Sequence, residues 1–381
     1  MPESITPSVI RTNNKKLIYQ YIYDNHTVSQ QDLSYQLHLS RPTITNKLAE
    51  LEASGMVCKG APLSSDLVGR KAASYEINAS YRIAIGVEIQ HHVLKILGVD
   101  LYGKCSRRVL YPIPFENTDA YADTVCKYIN DYICSMEFRD EQILGIGIAV
   151  PGLVSPEGDL ITYCKILNCT GLRIDHFRNH LRFPCRFFHD AGSAAQTELW
   201  ASPDLCDFIY LNVSVHLGTA MISDHRILDG LHGHCGTAEH IRIRPKGRIC
   251  YCGSRGCMET LCSLNSLLEN TTTEELLDDF FRRLRSGEPG AQARWNEYLR
   301  DFADAINLMH LMYDTHYVFG GYLAPYLLEE DLDRIYDAIE KMTPFEENRN
   351  YLQISKMPKH SITIGAALPY IREFLDSEAF A

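Results

Sequence analysis

Near the N-terminus, apolar residues recur at helical spacing in three short segments. The apolar face of the first segment consists of Leu17, Ile18, Tyr21 and Ile22. Ser29, followed by Asp32, has the form of a capping box and begins the second segment. Ser40 begins the third, and Gly55 is placed to end it. The apolar stripe of this third segment is Ile44, Leu48 and Leu51. Two short helices joined by a tight turn, after a support helix, predict a helix-turn-helix.

The third predicted helix has small, polar or basic side chains outside its stripe, at the end that enters a major groove in helix-turn-helix proteins. They are Arg41, Pro42, Thr43, Thr45 and Asn46. Residues 56–58 and 75–77 predict the strands of a wing, with Arg70 and Lys71 between them. We assign base-edge contacts to Thr43, Thr45 and Asn46. Phosphate or groove contacts are assigned to Arg41, Arg70 and Lys71. A helical interaction module with a solvated polar face is the alternative.

After residue 80, buried strands alternate with amphipathic helical stretches. Strands are predicted over residues 82–89, 93–99, 144–150, 187–189, 208–215 and 317–319. Helices are predicted over residues 121–136, 273–284, 291–313 and 362–374. These strands and helices agree with an α/β fold, the fold class that the family resemblance given below implies. With 381 residues the chain is too long for one core, so two or three domains are expected.

The charge is distributed unevenly between the two parts of the chain. Residues 1–75 carry a net charge of +2, whereas the whole chain carries −11. Nucleic acid, if bound, therefore meets the N-terminal part. The N-terminus lacks the features of a signal peptide, and no apolar run is long enough to span a bilayer. Together with an odd count of 13 cysteines, this predicts a cytoplasmic protein without membrane insertion.

One dense cluster of soft metal ligands occurs in the chain. Cys250, Cys252 and Cys257 lie within eight residues, and His240 precedes the first by ten. Gly253 and Gly256 let the backbone turn sharply between the thiols. Four such ligands suit one closed, structural zinc ion per chain, because a catalytic zinc keeps an open position. A set of unrelated buried thiols is the alternative.

Residues 240–259 resemble the zinc-binding signature of the ROK family, which contains bacterial sugar-responsive repressors and sugar kinases. The N-terminal segment resembles the winged helix-turn-helix of ROK repressors, including Arg70 and Lys71 before the second wing strand. The resemblance implies a winged helix-turn-helix DNA-binding domain over residues 1–79. It further implies that residues 80–381 form a sugar-binding and oligomerisation domain with two lobes, built on the actin-like, ribonuclease-H-like fold of ROK sugar kinases, with zinc at residues 240–257.

The two loops that hold ATP phosphates in ROK kinases are degraded in this chain. Glu88 replaces the aspartate of the first loop, and residues 90–92 replace its Gly-Gly-Thr. In the second loop only Gly218 and Ala220 are still small. Since bulky side chains leave no room for phosphate on backbone amides, we expect no enzyme activity.

Family resemblance also implies the sugar-binding residues. Asp190 matches the carboxylate that holds a sugar hydroxyl, and His189 replaces the preceding asparagine. Asn168 matches a sugar-contacting asparagine, although a turn residue is the alternative. His240 and Glu259 come from the zinc signature. Aligned on His240, the family's sugar-binding glutamate position holds Thr237, whereas a short deletion would let Glu239 supply the carboxylate.

These features predict a ROK-type transcriptional regulator, a repressor of sugar uptake or catabolism genes. We expect a homodimer or homotetramer that binds a palindromic operator and responds to a sugar or sugar derivative. Two alternatives remain open. One is an active ATP-dependent sugar kinase with an appended DNA-binding domain, and the other is a DNA-binding protein whose pocket has lost sugar.

Overall fold

The computed structural model describes residues 7–61, 73–269 and 272–377. Its first elements are α1 (Pro7–Asn25), β1 (Thr27–Ser29), α2 (Gln30–Gln36), α3 (Arg41–Ala53), β2 (Val57–Lys59) and β3 (Ser74–Ile77). The strands form an antiparallel sheet in the order β1-β3-β2. Ser29 and Asp32 make the predicted capping box of α2, and Ser40 caps α3. The winged helix-turn-helix fold is therefore confirmed. Arg70 and Lys71 lie outside the described residues.

The first lobe is a five-stranded sheet in the order β10-β7-β4-β5-β6. Its strands are β4 (Ile83–Ile89), β5 (Leu94–Asp100), β6 (Val109–Tyr111), β7 (Ile143–Val150) and β10 (Cys185–His189). One face packs on α4 (Asp119–Ser135) and α5 (Asp175–His180). The other face packs on α12 (Ser361–Asp376). A two-stranded ribbon of β8 (Leu153–Val154) and β9 (Ile161–Tyr163) follows β7.

The second lobe is built on another five-stranded sheet, in the order β13-β12-β11-β14-β15. Its strands are β11 (Phe208–Val213), β12 (Leu217–Ser223), β13 (Arg226–Ile227), β14 (His316–Gly320) and β15 (Leu352–Ile354). Its helices are α6 (Asp190–Ala201), α7 (Glu259–Cys262), α8 (Leu264–Leu267), α9 (Glu274–Arg285), α10 (Pro289–His310) and α11 (Glu329–Ile339). Trp295, Tyr298 and Phe302 of α10 are fully buried against this sheet. The predicted α/β fold with two lobes is confirmed.

Helix α12 contacts both lobes and the DNA-binding domain. A Cβ atom on Gly365 would overlap the carbonyl of Ser193. The backbones of α12 and α6 are therefore in direct contact at this point, with no side chain between them. Thr197 in α6 donates a hydrogen bond to the carbonyl of Ser361, 2.6 Å away. At the other end of α12, the Lys16 ammonium of α1 donates to the carbonyl of Asp376 at 2.9 Å.

The helix-turn-helix domain also packs directly on the first lobe. The Tyr23 hydroxyl donates to the Leu101 carbonyl at 2.7 Å, and the Tyr23 ring stacks on Tyr102 with centroids 4.7 Å apart. Ile18 and Ile22 share one apolar core with Leu101 and with Phe374 of α12. The predicted domain boundary after residue 79 falls between β3 and β4. Across the described residues, we find no helix with the length and apolar character needed to cross a membrane.

We expect the Gly365→Ala substitution to lower the free energy of unfolding by about 1–3 kcal/mol, because overpacking forces the neighbouring backbone to move. Gly290→Ala is a matched control, because Gly290 is an exposed residue in the first turn of α10. That change should leave stability unchanged or raise it by up to about 1 kcal/mol. Urea unfolding of both variants measures the difference, and equal stability would contradict the close α6–α12 packing.

Candidate functional site

A cavity of about 220 Å³ lies between the two lobes. The first lobe contributes residues 151–153 and 163–166, together with His189 at the end of β10. The second lobe contributes Asp190 and loops around residues 216–218 and 234–240. Four of the six predicted sugar residues line this cavity: His189, Asp190, Glu239 and His240. Two halves of the chain therefore form one pocket with several polar groups, as ligand sites commonly do.

Asp190 is placed in the cavity by the junction of β10 and α6. Its Oδ1 atom accepts a hydrogen bond from the Ala191 amide at 2.7 Å and lies 3.3 Å from His189 Nε2. Its Oδ2 atom has no hydrogen-bond partner among the residues that the structure describes. Burial raises the pKa of Asp190 and lowers the pKa of His189. One carboxylate oxygen of Asp190 thus accepts a hydrogen bond in the first turn of α6, and the other oxygen is available to a ligand.

Glu239 and Thr237 both line the cavity, but their environments differ. Glu239 is buried, and its carboxylate lies 2.5 Å from the Thr219 hydroxyl of β12. Burial raises the pKa of Glu239 to about 8. A carboxyl that keeps its proton near neutral pH can donate as well as accept hydrogen bonds. Thr237 is less buried, and its hydroxyl donates to the carbonyl of His234 at 2.9 Å.

Glu259 and Asn168, which the sequence analysis also predicts to bind sugar, are not among the residues that line this cavity. The Glu259 carboxylate accepts from the Leu217 amide at 2.6 Å and lies 2.7 Å from His216 Nδ1. His216 lines the cavity, so Glu259 reaches the pocket through this imidazole. Asn168 has a positive φ of 50°, which suits a turn. The sequence analysis did not single out His216, although it lies two residues before Gly218 of the expected second phosphate loop.

The four predicted metal ligands converge. One donor atom each from His240, Cys250, Cys252 and Cys257 lies within 4.8 Å of every other. The Cys252 and Cys257 sulfurs are 3.8 Å apart, and Cys250 Sγ lies 3.7 Å from His240 Nδ1. Tetrahedral zinc bonds of their usual lengths require about 3.8 Å between two sulfurs and about 3.6 Å between sulfur and nitrogen. The residues therefore fit a closed zinc site.

The metal-ligand loop is also a wall of the cavity. Gly256 has a φ of +72°, and a Cβ atom there would overlap the Arg244 carbonyl. Tyr251, between two of the cysteines, lines the cavity and makes edge contacts with the rings of His216 and His240. Sequence reasoning did not identify Tyr251, although its position between two ligands was the available signal. Bound metal would therefore hold pocket residues as well as the loop.

The cleft next to the pocket is closed by contacts between the lobes. The buried Lys95 ammonium lies 2.8 Å from the Glu88 carboxylate and 2.9 Å from the Tyr322 hydroxyl. Gln90 donates to the same hydroxyl at 3.2 Å, and Thr363 of α12 donates to Glu88 at 2.7 Å. Glu88 and Gln90 belong to the stretch that the sequence analysis expects to be a degraded first phosphate loop. Their side chains are committed to protein contacts.

Helix α3 presents most of the predicted DNA-contacting residues to solvent. Arg41, Pro42, Thr45 and Asn46 are exposed. Thr43 is half-buried, and its hydroxyl lies 2.8 Å from that of the capping residue Ser40. The Thr45 hydroxyl donates to the Arg41 carbonyl. The Asn46 amide makes no side-chain hydrogen bond within the described part of the chain, so both its donor and its acceptor are available.

Comparisons with known proteins agree with this architecture. The sequence pattern of the ROK family matches residues 84–372, and a winged helix-turn-helix DNA-binding pattern matches residues 11–57. The chain belongs to the ROK family. This ROK protein is similar to the DNA-binding transcriptional dual regulator NagC of Escherichia coli, with 26% identity over 72% of this chain and 68% of NagC. It is 24% identical to the xylose repressor of Bacillus subtilis over 70% of each chain.

Solved ROK structures share the fold. A ROK family transcriptional regulator, a homologue of the Escherichia coli Mlc protein, matches over 96% of both chains with a TM-score of 0.71 and 21% identity. A ROK family glucokinase from Streptomyces griseus, in complex with glucose and AMPPNP, matches with a TM-score of 0.64 and 21% identity. That match covers 75% of this chain and 98% of the glucokinase. With its N-terminal DNA-binding domain, this ROK chain is a transcriptional regulator built on a sugar-kinase fold.

Purified protein should contain about one tightly held zinc ion per chain, because four ligands at tetrahedral spacing leave no open position. Cys250→Ser and Cys257→Ser should each lose this ion. Cys134→Ser, which removes an exposed thiol from α4, should retain it. Elemental analysis after dialysis gives the count. Wild-type protein without zinc, or full zinc content in both ligand variants, would contradict the assignment.

Proposed function

We propose that this ROK regulator is a repressor that binds operator DNA as a homodimer or homotetramer and responds to a sugar or sugar derivative. One observation carries the proposal. The chain joins a helix-turn-helix with an exposed α3 to a pocket with the carboxyl groups of Asp190 and Glu239, while the adjoining phosphate cleft is filled. Such a chain has the parts for recognising a hydroxyl-rich ligand and DNA, and lacks a place for ATP phosphates.

The pocket supports a sugar-like ligand because its polar groups are both donors and acceptors. Asp190 Oδ2 can accept a hydroxyl hydrogen, and Glu239 can donate as well as accept. We propose that Glu239, rather than Thr237, supplies the family's sugar-binding carboxylate, since Glu239 is buried at the cavity wall. Glu259 holds His216 in place through the 2.7 Å contact, and Asn168 stays a more distant candidate.

The relatives named above support the choice of ligand class without identifying the ligand. The NagC match is to a curated DNA-binding regulator, and its counterparts in other Escherichia coli strains are named N-acetylglucosamine repressors. A second group of matches consists of xylose repressors. These names concern the relatives, and they divide between an amino sugar and a pentose. For this chain we therefore propose a monosaccharide or amino sugar.

We propose that the chain is not a sugar kinase, although kinases share its fold. A kinase needs backbone amides and cations that face the phosphates of bound ATP. Here Lys95, a buried lysine, neutralises Glu88 and contacts Tyr322 from the other lobe. Breaking these contacts would leave a buried charge without its partner, which is costly. Binding of ATP phosphates here would require these contacts to break and the Gln90 side chain to move.

We further propose zinc as the resident metal, with His240, Cys250, Cys252 and Cys257 as its ligands. Zinc would supply structural stability to the loop that carries His240 and Tyr251, with no chemical step of its own. The described cysteines are all unpaired, which fits the reducing cytoplasm that we propose as the compartment.

The proposed response to sugar has a physical route to the DNA-binding domain. Asp190 begins α6, α6 packs on α12 at Gly365, and α12 ends beside Lys16 of α1. A ligand that draws the second lobe toward the first would shift α6 and therefore α12. Because packed helices move as units, a small shift at the pocket would be passed to α1.

A monosaccharide that binds should raise the melting temperature, because a ligand at 100 times its Kd adds about 2.7 kcal/mol of stability. A thermal-shift screen of hexoses, pentoses and amino sugars identifies it. Asp190→Asn should abolish the shift, whereas Asp131→Asn, on the exposed face of α4, should preserve it. An undiminished shift in Asp190→Asn, or ATP-dependent phosphorylation of the bound sugar, would contradict the proposal.

Two classes of DNA-contacting residue should behave differently when substituted. Asn46→Ala should lose about 1–3 kcal/mol of discrimination at one base pair of each half-site. Arg41→Ala and Lys71→Ala should weaken binding to all sequences and flatten its salt dependence. Gln20→Ala removes an exposed amide from α1 and is the matched control for Asn46→Ala.

Fluorescence anisotropy with a duplex selected from a random pool, and with its single-base variants, gives these values. We expect the selected duplex to be palindromic, with half-sites about 10 bp apart or a multiple of that spacing. Unchanged base discrimination in Asn46→Ala would show that α3 does not read the sequence through this residue.

A further inference from the structure

We infer that the first lobe contains a second metal site, formed by His176 and His180 of α5 and Asp123 of α4, which binds a zinc ion at the surface. One donor atom from each residue lies within 4.8 Å of the other two. The cluster lies in the first lobe. The metal-ligand loop, here called the Cys/His loop, carries His240, Cys250, Cys252 and Cys257 and belongs to the second lobe. The cluster is independent of the proposed regulatory function.

In both imidazoles an oxygen atom lies next to Nδ1, so Nε2 is the nitrogen that faces Asp123. His180 Nδ1 lies 2.9 Å from the carbonyl oxygen of His176. A carbonyl oxygen only accepts, so Nδ1 carries the hydrogen and His180 Nε2 keeps its lone pair. His176 Nδ1 lies 3.2 Å from the Asp119 carboxylate. An oxygen acceptor on the second ring nitrogen is the usual arrangement of histidines that bind metals.

The distances between the donor atoms fit one ion. Asp123 Oδ1 lies 2.9 Å from His176 Nε2 and 3.5 Å from His180 Nε2. Two tetrahedral ligands at the usual zinc bond lengths stand about 3.3 Å apart, which lies between these two values. In the metal-free chain, a hydrogen bond joins His176 Nε2 and Asp123. Zinc would displace that proton and take both atoms as ligands.

The helices that carry the ligands are held by the core. Phe177, between the two histidines, is buried and packs edge-on against Phe187 of β10. Val125 and Cys126 of α4 are buried beside it in the same apolar core. Ligands on packed helices keep their spacing without metal, so little ordering entropy opposes binding.

The ligand set selects the class of ion. Two imidazoles and one carboxylate favour zinc and its neighbours in the first transition series over magnesium or calcium, which prefer oxygen. The His180 and Asp123 side chains are each about half exposed. Three ligands leave a fourth position open to water. This ion should therefore exchange readily, unlike the ion in the closed Cys/His site.

The test is a zinc titration of the full-length chain after dialysis against a weak chelator. Wild-type protein should bind one more ion per chain than the tightly held one. His180→Ala and His176→Ala should each lower the affinity for this second ion at least tenfold. His232→Ala, which removes an exposed imidazole from the second lobe, should leave it unchanged.

Cobalt(II) distinguishes the two sites, because only thiolate ligands give an intense sulfur-to-metal charge-transfer band. The second cobalt ion should add weak d–d absorption alone, and the band of the Cys/His site should persist in His180→Ala. Melting curves check that the variants fold, and His180→Gln is the conservative replacement if alanine disturbs α5. A single ion in wild-type protein, or a second ion retained by both alanine variants, would overturn the inference.

Discussion

The packing of α12 between the sheet of the first lobe and α6 is the constraint on which the rest of the structure depends. Gly365 permits this packing, because any side chain there would overlap the backbone of α6. Thr363 of the same helix donates a hydrogen bond to Glu88, and the C-terminal end of α12 accepts one from Lys16 of α1. Pocket, cleft and DNA-binding domain therefore share one rigid element, and none of them can move far without it.

Around this element, the two lobes form the pocket and a separate set of buried polar contacts. The pocket contains the carboxyl groups of Asp190 and Glu239, and the loop that carries His240 and the three cysteines forms one of its walls. Lys95 and Glu88 of the first lobe form a buried ion pair, and Lys95 also donates to the Tyr322 hydroxyl of the second lobe. A buried pair of this kind stabilises little by itself, but it penalises the loss of either partner. The two lobes therefore keep an open pocket beside a buried ion pair that links them.

Local sequence signals identified those parts of the structure that local chemistry controls. Ser29 and Ser40 marked the helix starts, because a capping hydroxyl acts within three residues. The spacing of the cysteines predicted that their thiols converge. The predicted strand that ends at His189 indicated that Asp190 lies at the end of β10. Contacts between distant segments could not be predicted in this way. Lys95 and Tyr322 are 227 residues apart, and Lys16 and Asp376 are 360 apart. The position of Glu259 behind His216, and of Asp123 beside two histidines of another helix, follows from tertiary packing alone.

Thermodynamic linkage between sugar and DNA tests the central claim most directly. If one α6–α12–α1 connection couples the two sites, a sugar that weakens operator binding by a given factor must itself bind more weakly to the DNA complex by the same factor. Both constants can be measured on full-length protein by calorimetry, with and without a saturating operator duplex. We predict equal factors, typically about 5- to 150-fold for allosteric proteins. A sugar affinity that is identical with and without the operator would contradict the account.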